Sequence, residues 1–263
     1  MRKLNLQSIF ILFITSVVLF TACSDDNSTN IGEPPALPDL STAVPDLEYF
    51  QTSNKLVQKS NGENFLLAKS LTYSMQSLIV GFSSVPESFM STAQNEEASF
   101  ANGVWLWDYT ASYANTSISI ELTAEETNSQ IDWAMYLSLN SPEISFDNYK
   151  YFDGSTQNNG KTGEWSFYPF YEESTTPVMT YDWNIESDDE ASFTITFDQD
   201  SESSSSTFGY VKSSPNNTIT ISSGGTSTTI YWNDSTQEGY YQPSGETRVC
   251  WDANSNNTPC ATS

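Results

Sequence analysis

The chain has 263 residues, no histidine, and 33 acidic against 9 basic residues, for a formal charge of −24. The missing histidine excludes Ser-His-Asp and Cys-His nucleophiles and histidine-bound zinc, iron or haem. It leaves carboxylate pairs, Ser-Lys arrangements and oxygen-ligated calcium, while the acidity makes nucleic acid and anionic lipid poor partners.

Arg2 and Lys3 precede an apolar stretch from Ile9 to Phe20, which ends in Thr21-Ala22-Cys23. A basic start, a core of about 12 apolar residues and a small residue before the cleavage point describe a secretory signal peptide, residues 1–22. The run is shorter than the roughly 20 residues that a membrane-spanning helix needs.

The segment Leu19-Phe20-Thr21-Ala22-Cys23 resembles the lipobox of bacterial lipoproteins. Thr21, Ala22 and Cys23 match it, whereas Phe20 stands where an aliphatic residue is usual. The resemblance covers the first 26 residues and implies that Cys23 is acylated and becomes the new N-terminus. Each buried methylene contributes about 0.8 kcal/mol, so several acyl chains hold a protein stably to a membrane. Asp25-Asp26, after Ser24, resemble the acidic export signal of surface lipoproteins in Bacteroidota-like bacteria. The implied location is the outer membrane, on its periplasmic or cell-surface face. Removal of the signal takes Arg2 and Lys3 with it, leaving 263 − 22 = 241 residues and a balance of 7 − 33 = −26.

Residues 23–45 are rich in Ser, Thr, Asn, Asp and Pro, a composition that cannot bury enough apolar surface to order itself. This stretch is expected to be a flexible tether reaching roughly 25 Å. Residues 46–98 follow as a helical segment. A short helix is expected over 46–58, and Leu67, Leu71, Met75, Leu78 and Phe82 recur at three- and four-residue steps on one face of a longer one. That face is expected to pack on a sheet. Gly81, Ser83, Ser84 and Pro86 are expected to end the helix, with another starting from Pro86.

From Asn102 onward the period becomes two. Trp105, Trp107 and Tyr109 alternate with other residues, as do Ile118, Ile120 and Leu122. Ile131, Trp133, Met135, Leu137 and Leu139 continue the pattern, followed by Met179, Tyr181, Trp183 and Ile185, and by Phe193, Ile195 and Phe197. Each run reads as a strand with one apolar face and one Ser/Thr/Asp face. Polar turn clusters separate them, at Glu125–Ser129, Asp153–Gly163, Ser187–Glu190, Ser201–Ser206, Pro215–Asn217 and Ser222–Ser227. The fold class is therefore mainly β with N-terminal helices. Residues 99–263 are expected to form an antiparallel meander of about ten or eleven strands, curled into a barrel or sandwich. A membrane-spanning barrel also alternates, but it keeps its aromatics at strand ends, and here Trp and Phe sit in strand centres.

The chain closes on a hairpin. Cys250 and Cys260, an even pair in an exported protein, read as a disulfide. A turn centred on Ser255, with Asn256 left-handed, would set them opposite one another. Asp252, Asn254 and Asn256 have the alternate spacing that opens an EF-hand loop. Asn257 stands where that loop needs glycine, so calcium is the one metal the pattern offers, and no other cofactor is implied.

Two further chemistries remain. Seven Trp, 14 Tyr and 15 Phe make an aromatic surface for glycan or lipid conceivable, with Trp105, Trp107, Trp133, Trp165, Trp183 and Trp232 as its candidates. Their parity matches the buried face, which favours a role as core. Glycoside hydrolysis needs two facing carboxylates, and Asp108, Asp132 and Asp182 lie inside strand patterns with outward parity. The expectation is a lipid-anchored envelope protein with a non-enzymatic binding or structural β domain. Its partners would be the membrane through the lipid, and a glycan, a lipid or another envelope protein.

Overall fold

The computed structural model describes residues 32–38, 44–52, 62–113, 116–127, 129–141, 144–169, 175–198 and 205–261. The expected signal segment 1–22, Cys23 and much of the expected tether lie outside the described residues. One compact unit begins at Pro34. Pro35 is buried and Leu37 packs against the core, so residues 34–38 join the fold although their composition reads as spacer.

Helices α1 (Glu48–Thr52) and α2 (Glu63–Ala93) precede the strands. The first strands are β1 (Ser99–Ala101), β2 (Val104–Tyr113), β3 (Thr116–Thr127), β4 (Gln130–Asn140) and β5 (Ser145–Gln157). Next come β6 (Thr162–Phe167), β7 (Met179–Ile185), β8 (Glu190–Phe197), β9 (Ser206–Ser213) and β10 (Asn216–Ser223). The last are β11 (Thr226–Asn233), β12 (Gly239–Gln242), β13 (Val249–Trp251) and β14 (Asn257–Thr258). All pair antiparallel with their sequence neighbours, in the order β1 to β14. The sheet is not closed, since among the described residues β1 pairs with β2 and β14 with β13 but not with each other.

The count exceeds the expected ten or eleven because four strands have four residues or fewer, too short to show alternation. Strand β5 hides for a different reason. Met135 pairs with Phe152 and Tyr136 with Lys150, so Tyr151 is an extra residue and lies buried next to Phe152. Such a bulge breaks the period of two. It also turns the expected loop at 153–163 into strand as far as Gln157, leaving a short turn before β6.

The turns follow their residues. Asn102-Gly103 and Gly224-Gly225 all have positive φ, as two-residue hairpin loops require. The final hairpin differs from expectation. Its register pairs Cys250 with Thr258 and Trp251 with Asn257, and Ser255, not Asn256, takes the left-handed conformation. The Asp252 amide donates to Asn256 O and the Ser255 amide to Asp252 O, so the loop is five residues long. The Cys250–Cys260 disulfide nonetheless forms, with Cα atoms 5.2 Å apart, because Cys260 lies just beyond β14.

Helix α2 passes through Pro86 and ends at Ala93, one helix where two were expected. Pro86 is buried, and Met90 and Ala93 beyond it are fully packed. Burial of this last turn offsets the hydrogen bond that the proline removes. The buried stripe is Phe65, Ala68, Thr72, Ile79, Met90 and Ala93, turned about 85° from the expected one. Leu71 and Met75 share both faces and are half-buried, whereas Leu67 and Leu78 are 46% and 45% exposed. The side chain of Phe82 lies outside the described set.

Candidate functional site

The six candidate tryptophans come together as core. Trp105, Trp107, Trp133, Trp165, Trp183 and Trp232 are between 1% and 8% exposed. Each contacts a neighbouring aromatic ring, Trp105 meeting Phe100 of β1. Trp107 stacks with Trp133, Trp165 with Trp183, and Tyr181 with Phe193; Tyr210 stacks with Trp232, and Phe65 meets Trp251 edge-on.

Three glycines make room for these rings. Gly154 lies between Trp133 and Trp165 in adjacent strands, Gly163 beside Trp183, and Gly239 between Trp232 and Trp251. A Cβ on Gly239 would sit 2.3 Å from both the Trp251 ring and the Tyr231 carbonyl oxygen. The rings therefore lie on bare backbone, an arrangement that cross-strand Gly–aromatic pairs favour.

An indole carries an N–H that needs a partner when buried. Trp133 Nε1 donates to Thr156 Oγ1 (2.9 Å) and Trp183 Nε1 to Gly160 O (2.8 Å). Trp232 Nε1 donates to Asp234 Oδ1 (3.1 Å) and Trp251 Nε1 to Tyr49 Oη (2.8 Å). These acceptors lie in or near turns at one end of the meander, or on α1. Asn217 links the same rim, accepting from Tyr210 Oη at 2.9 Å and donating to Asp234 Oδ2 at 2.8 Å. Burial pushes the Tyr49 hydroxyl up to about 12 and raises Tyr210 as well, so both remain proton donors. Trp165 Nε1 is the buried side-chain nitrogen without a partner among the described residues. No sequence signal marks Asn217, Asp234 or Thr156 as rim residues; their roles depend on which turns meet.

An opening of about 750 Å³ lies at that end of the sheet. Pro35–Pro38 form one wall, and the β3–β4 and β5–β6 turns, including Gln130, Ile131 and Asn158, form the other. Its lining is mixed polar and apolar, with Glu126 the one acid among the described residues.

The expected calcium residues serve the backbone. Asp252 Oδ1 accepts from the amides of Asn254 (2.8 Å) and Asn256 (3.0 Å), which shapes the last turn. Among the described residues no group of three or more Cys, Asp or Glu is placed to hold a metal. On the outer face Asp108 lies opposite Glu121, Glu125 opposite Asp132, and Glu164 opposite Asp182. Asp132 accepts from Gln130 Nε2 (2.6 Å) and Thr127 Oγ1 (3.2 Å). Desolvation, and then the Glu164 charge, raise the Asp182 carboxyl above its usual range. These pairs lie on an open sheet surface, where the two nearest depressions hold about 450 and 380 Å³.

Comparison with family models, with characterised proteins and with solved structures returns no significant match. Function therefore has to be argued from the residues themselves.

Proposed function

We propose that this chain is a lipid-anchored cell-envelope protein, held at the outer membrane through Cys23, whose β domain serves as a structural or assembly scaffold. The observation that carries the scaffold reading is the filled aromatic face. Six indoles that a glycan or lipid cleft would present are at most 8% exposed and locked to neighbours. The anchor is supported by the lipobox-like segment ending in Cys23.

The scaffold is a curled sheet with a helix across it. Phe65 meets Trp251 in β13, and Tyr109 in β2 donates to the Phe89 carbonyl at 2.6 Å. Those helix residues are 89 − 65 = 24 positions apart, about 36 Å along the axis. The 13 − 2 = 11 strand steps between β2 and β13 span about 53 Å along a sheet. A flat sheet would put the two margins too far apart for α2 to reach both, so curling fits the contacts.

A second reading has its own observation, the 750 Å³ opening at the turn-bearing end. A small ligand or an extended partner segment would bind there and not at the tryptophans.

Mass spectrometry of the mature N-terminus tests the anchor. A diacylated Cys23 is expected, together with release of the Cys23→Ser protein into the soluble fraction. An unmodified amino end downstream of residue 23 defeats it. Acrylamide quenching of tryptophan tests the scaffold: uniformly low quenching is expected, and strong quenching suppressed by glycans or lipids would favour the binding module.

A further inference from the structure

We infer that the outward flank of α2 rests on a zwitterionic bilayer surface beside the lipid anchor. This rests on the proposed acylation of Cys23. Between Glu63 and Glu87 the helix carries no carboxylate over residues 64–86, in a chain where 33 of 263 residues are acidic. Its single charge there is Lys69. The sides turned away from the sheet present Leu66 (36%), Leu67 (46%), Leu78 (45%) and Val80 (51% exposed), with Tyr73 (37%) at the margin, where its hydroxyl donates to the Phe50 carbonyl of α1 (3.2 Å). Between them Ser74 and Ser77 donate to the carbonyls of Ser70 and Tyr73, so their hydroxyls ask little of water. A water-facing helix normally carries charge on this side, and clustered exposed apolar side chains mark a contact surface. The acid-rich remainder of the surface is strongly hydrated, which leaves this flank as the side that approaches lipid at least cost.

The route of the chain supports that occupant. In an up-and-down meander successive turns alternate ends, so the β3–β4, β5–β6 and β13–β14 turns share one end. Pro35–Pro38 lie against the first two. The start of α2 is fixed beside the third, with the Asn64 amide donating to Asn257 Oδ1 (3.1 Å) and Asn64 Nδ2 to Cys250 O (3.0 Å). The compact unit is thus entered at the end where α2 begins. Cys23 precedes Pro34 by 34 − 23 = 11 residues, a contour of at most about 37 Å. Helices lying in the interface bury one apolar face in the headgroup region while a lysine reaches outward.

The test uses the full acylated chain in phosphatidylcholine vesicles, carrying an environment-sensitive fluorophore at Ser74→Cys. Val211→Cys is the control, since Val211 is an equally exposed apolar residue (52%) on the outer sheet face. Spin-labelled lipid is expected to quench the Ser74→Cys probe several-fold more than the control, and Leu67→Glu with Leu78→Glu should abolish the difference. Equal quenching at both positions overturns the inference. So does a water-shielded probe that lipid fails to quench while cross-linking yields dimers, which would make a second copy the occupant. Flotation with the vesicles, compared with Cys23→Ser, reads the anchor separately: a chain that floats with an unquenched helix refutes only the helix contact.

Discussion

The two faces of the sheet obey different rules. On the inner face the large side chains of the described strands pack as one buried cluster, and Gly154, Gly163 and Gly239 accept rings where any Cβ would collide. On the outer face the same strands carry Ser, Thr and carboxylates, and like charges stand directly opposite one another at Glu125/Asp132 and Glu164/Asp182. The inner face is specified by shape and the outer one mainly by hydration. Substitutions of the same size should therefore have unequal effects on the two sides.

The largest difference is expected at Trp232, which is 1% exposed and touches Tyr49, Phe50 and Tyr210. Trp232→Ala should cost about 4 kcal/mol in urea unfolding, whereas Thr194→Ala on the outer face should stay within about 0.5 kcal/mol. Comparable losses at both would erase the contrast.

Gly239→Val sharpens it, since it adds bulk where none fits. The new atoms meet the Tyr231 carbonyl oxygen and the Trp251 ring, and overpacking of this kind costs about 3 kcal/mol. A neutral result would show that the rings are free to move off the backbone.

The disulfide comes next. Cys250 and Cys260 are 10 residues apart, and closing so short a loop stabilises by about 2 kcal/mol. Cys250→Ser with Cys260→Ser should lower the unfolding midpoint accordingly. The loss should concentrate in faster hydrogen exchange at β13 and β14, with the central strands unchanged.

The inner face was also the legible one. Trp133, Met135 and Leu137 are buried with the parity their spacing predicts, as are Phe193 and Ile195. Alternation reports burial directly when one side of a strand faces water. It fails where geometry departs from a simple period, as at the Tyr151 bulge, and where strands are too short to repeat. The helix misled for another reason. Between Phe65 and Val80 apolar residues fall on every side except that of Ser70, Ser74 and Ser77, so spacing fits several stripes, and close approach to the sheet selects the one holding Ala68 and Thr72. The rim network of Tyr210, Asn217 and Asp234 joins β9, β10 and the β11–β12 turn, which pairing alone brings together.

The smallest effect is the most specific to the outer face. Asp182 opposes Glu164 across β6 and β7, and desolvation first, then that neighbour, raise its carboxyl. A carboxyl whose folded value exceeds its unfolded one destabilises the fold once ionised. The penalty is therefore full above its raised value and fades as pH falls toward and below the ordinary 3.8. Asp182→Asn should thus stabilise at pH 7, by about 0.5 kcal/mol for a directly opposed like-charge pair. That gain should vanish in acid. Salt separates the two causes, because it screens the Glu164 repulsion but not the desolvation. A gain that shrinks by more than half between 0.05 and roughly 1 M salt would rank the neighbour's charge above burial, reversing the order of causes.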